Sequence, residues 1–187
     1  MIPFNILNKD DSVLVIVDLQ EKLSASMPTA DAALMREHSI NLITAANLLD
    51  IPILVTEQYP KGLGSTEQAV SNKLTLSASV FEKTSFSCCG AEGFNHALGN
   101  SERGQVILVG QETHVCILQT ALELQQQGKQ VYVVEDAVCS RNTLHKNNAL
   151  QRMQQQGITV INYESVLFEW LRDAEHPDFK TISAFLR

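Results

Sequence analysis

The sequence predicts an α/β protein of three layers, a doubly wound parallel sheet of six strands with helices on both faces. Two observations carry this expectation. Short apolar runs recur along the chain, and several are apolar throughout instead of alternating, the pattern of strands buried on both faces. Stretches with helical spacing separate them, so strand and helix alternate. A third observation concerns chemistry: charged residues follow directly on the ends of several runs. In open sheets of this kind, ligands bind beyond the carboxyl ends of the strands.

Residues 13–17 are a continuous apolar run ended by Asp18-Leu19-Gln20, a first buried strand with a carboxylate at its carboxyl end. Pro28 and Thr29 introduce a long helix over residues 30–49, with Leu34, Ile40, Leu42, Ile43, Ala46 and Leu49 on its buried side. Residues 52–56 form a second strand, and the turn-rich residues 59–65 an irregular loop. Residues 80–83 are a brief third strand ending in Lys83, followed by a loop over 85–89 and a short helix over 92–98. The fully apolar residues 106–109 are the fourth strand, ended by Gly110; a helix over 115–127 follows, with Gly128 as its C-cap. Residues 130–134 form the fifth strand, with Glu135-Asp136 after it, and Ser140-Arg141-Asn142 lies in the loop before a helix over 144–156. Residues 158–161 are the sixth strand, 165–172 a helix and 179–186 a last short helix. No repeat or linker interrupts the pattern, so residues 1–187 are read as one domain.

Composition narrows the function. At 187 residues with 44% hydrophobic and 19% charged residues, the chain is globular and large enough for one substantial core. A net charge of −7 without a Lys/Arg cluster argues against nucleic acid or an anionic membrane as partner, leaving a small-molecule substrate. No apolar run approaches the ~20 residues of a membrane span, and residues 1–5 lack the basic-then-apolar pattern of a signal peptide. Cys88, Cys89, Cys116 and Cys139 lack metal-knuckle spacing, and two of them are adjacent, poor geometry for a disulfide. Free thiols in a cytoplasmic setting are expected.

Cys116 stands where the fourth strand passes through a short polar loop into a helix beginning at His114. Unpaired amide N–H groups and the positive end of the helix dipole meet there, and both favour a thiolate. Helical steps from Cys116 reach Thr120, Glu123 and Gln127, off the apolar stripe of Ile117, Leu118, Ala121, Leu122 and Leu124. Two readings stand, a nucleophile and a small packing residue. Asp18 and Lys83, each taken alone, are charges where a strand meets water. A thiol, a carboxylate and an amine at three carboxyl strand ends make a rarer set: a base for the sulfur's proton, a cation to balance charge, and backbone donors for an oxyanion.

These residues resemble the isochorismatase-like cysteine hydrolase superfamily, which includes nicotinamidases, N-carbamoylsarcosine amidohydrolase-type enzymes and isochorismatases. The matching segments are Val15-Ile16-Val17-Asp18-Leu19-Gln20, Phe81-Glu82-Lys83-Thr84-Ser85-Phe86-Ser87, and Gly110-Gln111-Glu112-Thr113-His114-Val115-Cys116-Ile117 with Thr120-Ala121. The resemblance spans nearly the whole chain and implies a Rossmann-like sheet of order 3-2-1-4-5-6. It implies Cys116 as nucleophile, Asp18 as general base and Lys83 as electrostatic partner, acting on a small amide or related C–N bond through a thioester. It further implies a non-proline cis peptide, carried over to Glu112–Thr113, with the amides of Thr113 and Cys116 facing the oxyanion. That strand order sets Lys83 about 9.6 Å from the Asp18 strand, so its side chain must lean inward.

Nicotinamidases of this superfamily hold a metal with an Asp-x-His pair and a further His. The equivalent stretch here is Thr56-Glu57-Gln58-Tyr59-Pro60, and His38 and His96 fall within helices, so neither metal nor cofactor is expected. The 56–66 loop resembles the isochorismatase domain-containing branch. Position near the strand ends nominates Gln20, Leu23, Gln58, Tyr59, Phe86, His114 and Ile117 for the substrate pocket; His114 serves equally as a polar contact or as decoration of a helix start. Self-association to a dimer or tetramer is expected, through the 59–65 loop and the C-terminal helix. Two rival functions remain: an isochorismatase-type vinyl-ether hydrolase, which needs no thiol, and a non-catalytic binding protein that keeps the fold.

Overall fold

A computed structural model describes residues 6–186; the reading of residues 1–5 as leaderless lies outside them. The sheet contains β1 (Ser12–Val17), β2 (Ile53–Gln58), β3 (Ser79–Lys83), β4 (Gln105–Gln111), β5 (Gln130–Cys139) and β6 (Thr159–Ile161) in the order β3-β2-β1-β4-β5-β6. Every pairing is parallel, as the apolar runs require.

Alternation along the central strands splits the core in two. Leu14 and Ile16 of β1, with Ile107 and Val109 of β4, pack under α2 (Thr29–Leu48) and α8 (Tyr163–Leu171). Val13, Val15 and Val17, with Val106 and Leu108, face α5 (Phe94–Asn100), α6 (Leu118–Gln126) and α7 (Thr143–Gln155). These faces make the sheet the middle of three layers.

Several expectations shift. Strand β5 continues past Val134 to Cys139, with its register against β4 shifting between Leu108 and Gly110. The polar pair Glu135-Asp136 lies in that irregular stretch and masks the continuation. Leu34 is 45% exposed while Met35 is fully buried, because apolar residues on α2 are not confined to one stripe. The short helices α1 (Glu21–Ser24), α3 (Pro60–Leu63) and α4 (Gln68–Ser71) hold four residues each, too few for a period to declare itself. No described helix is long and apolar enough to cross a membrane.

Two features of the core generate tests. Gly110, at φ +115°, pairs with Val17, and a Cβ built on it would sit 2.0 Å from the Val17 carbonyl oxygen. Backbone cannot yield there, so Gly110→Ala is expected to cost at least about 4 kcal/mol in chemical denaturation. Cys139 is fully buried, its thiol 3.3 Å from Met35 Sδ, and burial pushes its pKa from 9.0 up to about 12. Unfolded chains release this proton as pH passes about 9, whereas the folded protein keeps it. The stabilising contribution is therefore whole below pH 9 and lost as pH climbs towards 12. Urea midpoints between pH 8 and 11 should fall less steeply in Cys139→Ala than in the wild type.

Candidate active site

Asp18 leaves β1 in a left-handed conformation, φ 54°, which Asp tolerates better than most residues. Its side chain is fully buried. Oδ1 accepts a hydrogen bond from Thr56 Oγ1 at 2.8 Å and Oδ2 one from Lys83 Nζ at 2.7 Å. The Asp18 carbonyl accepts from the Gln20 amide at 2.9 Å and from Gln111 Nε2 at 3.0 Å.

Lys83 closes the edge strand β3, two strands from β1, and its side chain lies inward across β2 with no exposed surface. Besides Asp18, its ammonium reaches Gln58 Oε1 at 2.6 Å and the carbonyls of Phe86 and Ser85 at 3.0 and 3.2 Å. Cys116 Sγ lies 3.7 Å from the same nitrogen. Three distant segments thus bring a carboxylate, an amine and a thiol together.

Cys116 belongs to a π-helical turn, Thr113–Ile117, that precedes α6. Contrary to the helical-wheel expectation it is buried, with only 5% of its surface exposed, yet it lines a cavity of ≈ 330 Å³. Burial first and the Asp18 charge second push its thiol pKa up to about 12, while the Lys83 charge opposes them. The expected thiolate is corrected accordingly. A helix start supplies only about 0.3–1 kcal/mol, less than one pKa unit, and desolvation outweighs it.

Of the nominated pocket residues, Leu23, Gln58 and Phe86 line this cavity. Four do not. Gln20 is fully buried and braces the loop instead, donating to the carbonyls of Gln58 and Gly64 and accepting from the Gln58 amide. Tyr59 is 54% exposed and faces a separate cavity with Lys61 and Thr84. His114 turns to Ser140, Nδ1 to Oγ 3.0 Å, with its ring 4.9 Å from that of His145; burial lowers its pKa. Ile117 packs wholly in the core.

The remaining lining comes from Ser26, Met27, Leu63, Glu112, Val115 and Arg141. Glu112 accepts from the Arg141 amide at 3.0 Å and pairs with its guanidinium at 3.2 Å. Glu112, nominated for the oxyanion loop, lines the cavity as well; proximity to Cys116 could have found Val115, and position after β5 could have found Arg141. Met27 sits in a bend and Leu63 ends the four-residue helix α3, segments too short to carry a periodic signal. The cis peptide joins Gln111 to Glu112, one residue earlier than expected. Strand β4 extends through Gln111 instead of ending at Gly110, and the cis bond directly follows it.

Among the described residues no group of three or more His, Cys, Asp or Glu side chains is arranged to hold a metal ion. His38 is committed elsewhere, stacked on Tyr163 with its Nδ1 3.0 Å from the Asp136 carbonyl oxygen, and His96 bonds Asn100.

Comparison with known proteins agrees with this architecture. The secreted isochorismatase effector Isc1 of Phytophthora sojae is 39% identical over 183 residues, covering 94% of this chain and 84% of that protein. The isochorismatase domain-containing protein 2A of Mus musculus is 39% identical over 178 residues, covering 95% and 84%. A solved structure described as the MAR1 ribonuclease from Caenorhabditis elegans superposes with a TM-score of 0.91 at 36% identity, covering 97% of this chain and 92% of that one. Residues 12–165 match the Isochorismatase domain, and the chain belongs to the isochorismatase family.

Proposed function

We propose that the protein is a hydrolase that cleaves a small amide or related C–N bond with Cys116 as nucleophile, Asp18 as base and Lys83 as electrostatic partner. One observation carries this reading. Lys83 Nζ lies 2.7 Å from Asp18 Oδ2 and 3.7 Å from Cys116 Sγ, beside a cavity large enough for a small molecule. The lining of Leu23, Met27, Leu63, Phe86 and Val115 favours a substrate with an apolar body.

In the proposed reaction the thiol stays neutral until substrate arrives. Asp18 then takes the sulfur's proton as the S–C bond forms, and the negative charge passes to the substrate carbonyl oxygen. The amides of Thr113 and Cys116 are the proposed donors to that oxyanion. Collapse breaks the C–N bond, and Asp18 returns the proton to the leaving amine. Water then gives its proton to Asp18 while attacking the thioester; the C–S bond breaks and the sulfur recovers the proton.

A vinyl-ether hydrolase has no use for the thiol. A binding protein has none for an ion pair buried beside it. Free thiols at all four described cysteines support a reducing, cytoplasmic setting. Self-association belongs to the same proposal, through the 59–65 loop, where Tyr59 is exposed, and the C-terminal helix, with light scattering as its check.

Two measurements test the chemistry. On a panel of amides, carbamoyl compounds and hydroxamates, Cys116→Ala, Cys116→Ser and Asp18→Asn should each lower kcat/KM by at least about a thousandfold. Undiminished turnover by Cys116→Ala excludes the scheme. In the free enzyme, iodoacetamide should modify Cys116 on the order of a thousand times more slowly at pH 7 than it does a small free thiol. The rate should keep rising beyond pH 10, since the thiol titrates near 12. A plateau already reached below pH 9 would contradict the neutral resting thiol.

A further inference from the structure

We infer that Thr56 is a positioning residue for the base, fixing the plane of the Asp18 carboxylate, and that the buried thiol of Cys88 holds the Thr56 hydroxyl in that orientation. The inference rests on the hydrolase reading above and assigns two side chains that the reaction scheme leaves unused.

Thr56 lies in β2, between the strands that carry Asp18 and Lys83, and is fully buried. A threonine hydroxyl has one proton to give and lone pairs to receive with. Its proton goes to Asp18 Oδ1, 2.8 Å away, since an ionised carboxylate can only accept. Cys88 Sγ, 3.5 Å from the same hydroxyl, must therefore be the donor in that contact. Cys88 is itself fully buried in the 3-10 turn Cys88–Gly90, its amide donating to Thr120 Oγ1 at 2.9 Å. Burial and the Asp18 charge push its thiol pKa up to about 11, which keeps the proton in place throughout the neutral range.

The result is a directed chain from the Cys88 thiol through the Thr56 hydroxyl to Asp18 Oδ1. With Lys83 on Oδ2, both carboxylate oxygens are anchored, and the group cannot turn about its Cβ–Cγ bond. A base must present a free lone pair at the proton it receives, first from sulfur and then from water. Loss of one anchor lets the carboxylate swivel away from that alignment.

The test uses p-nitrophenyl acetate as a generic acyl donor, following the burst for acylation of Cys116 and the steady state for thioester hydrolysis, with Cys116→Ala as blank. Thr56→Val should slow both phases by about 10- to 100-fold at unchanged KM, and Thr56→Ser should restore them to within about threefold. Cys88→Ala should fall between these, and Cys88→Ser should recover. Thermal melts establish folding, and where Thr56→Val does not fold, the Cys88 pair decides. A structural role alone would shift melting without the hydroxyl-dependent rescue. Wild-type rates in folded Thr56→Val, or in Cys88→Ala, overturn the assignment while leaving the hydrolase reading intact. Absence of any Cys116-dependent burst in the wild type removes that reading, and this inference with it.

Discussion

A buried ion pair governs this structure. Asp18 and Lys83 meet at 2.7 Å with neither side chain exposed. Charges removed from water are tolerated only when paired and hydrogen-bonded all round, and the surroundings meet that demand. Thr56 occupies the second oxygen of Asp18, while Gln58 and the carbonyls of Ser85 and Phe86 gather around the ammonium. The Tyr59 amide donates to the Lys83 carbonyl at 2.8 Å, fastening the β2 and β3 ends together. Deleting one partner of such a pair costs about 3–5 kcal/mol, a large part of the 5–15 kcal/mol that a domain has in total. Site geometry and fold stability are therefore bound together here.

The backbone of Asp18 is held as firmly as its side chain. A left-handed non-glycine residue persists only where its neighbours over-determine it, and here Gln111 does so from the adjoining strand. Its fully buried amide donates to the Asp18 carbonyl and to Ser24 Oγ, the latter at 2.8 Å. Ser24 in turn donates to Glu67, which also receives Arg36. A continuous polar chain thus runs from the outer helix α2 to the carboxyl end of β1. Gly110 permits the close approach of β1 and β4 that brings Gln111 within reach.

The fold was legible because its central strands are apolar runs too continuous to be anything but doubly covered, and because Asp18 follows directly on β1 and Lys83 ends β3. Even the inward lean of Lys83 followed from strand spacing. What escaped was information without a period. Glu135-Asp136 interrupt β5 with polar residues that sit in its irregular stretch. Met27 and Leu63 enter the cavity from short segments whose course depends on braces such as the Gln20 side chain. Cys116 shows a different failure. The helical wheel took polar Thr120, one turn beyond Cys116, as a mark of the solvent face, whereas Thr120 is fully buried with its hydroxyl receiving the Cys88 amide, so the face that carries the thiol is a buried one. Tyr59, Gln20, His114 and Ile117 were nominated by nearness along the chain, which cannot say which way a side chain points.

The thiol's resistance to ionisation bears on the part that the proposed reaction gives to the carboxylate beside it. Asp18 and Lys83 together are neutral, so a thiolate would leave the buried site with one uncompensated negative charge. That is the state that desolvation and the Asp18 carboxylate both oppose. A site of this kind does best to keep the proton on sulfur at rest and move it only as the S–C bond forms. In the proposed reaction the charge then leaves the sulfur for the substrate oxygen, where backbone amides receive it. A preformed thiolate would make the carboxylate redundant for attack, and its proximity harmful. In that proposed reaction a neutral thiol makes the carboxylate indispensable, and the hydrogen bonds that Thr56 and Lys83 give to its two oxygens suit a base held in one orientation.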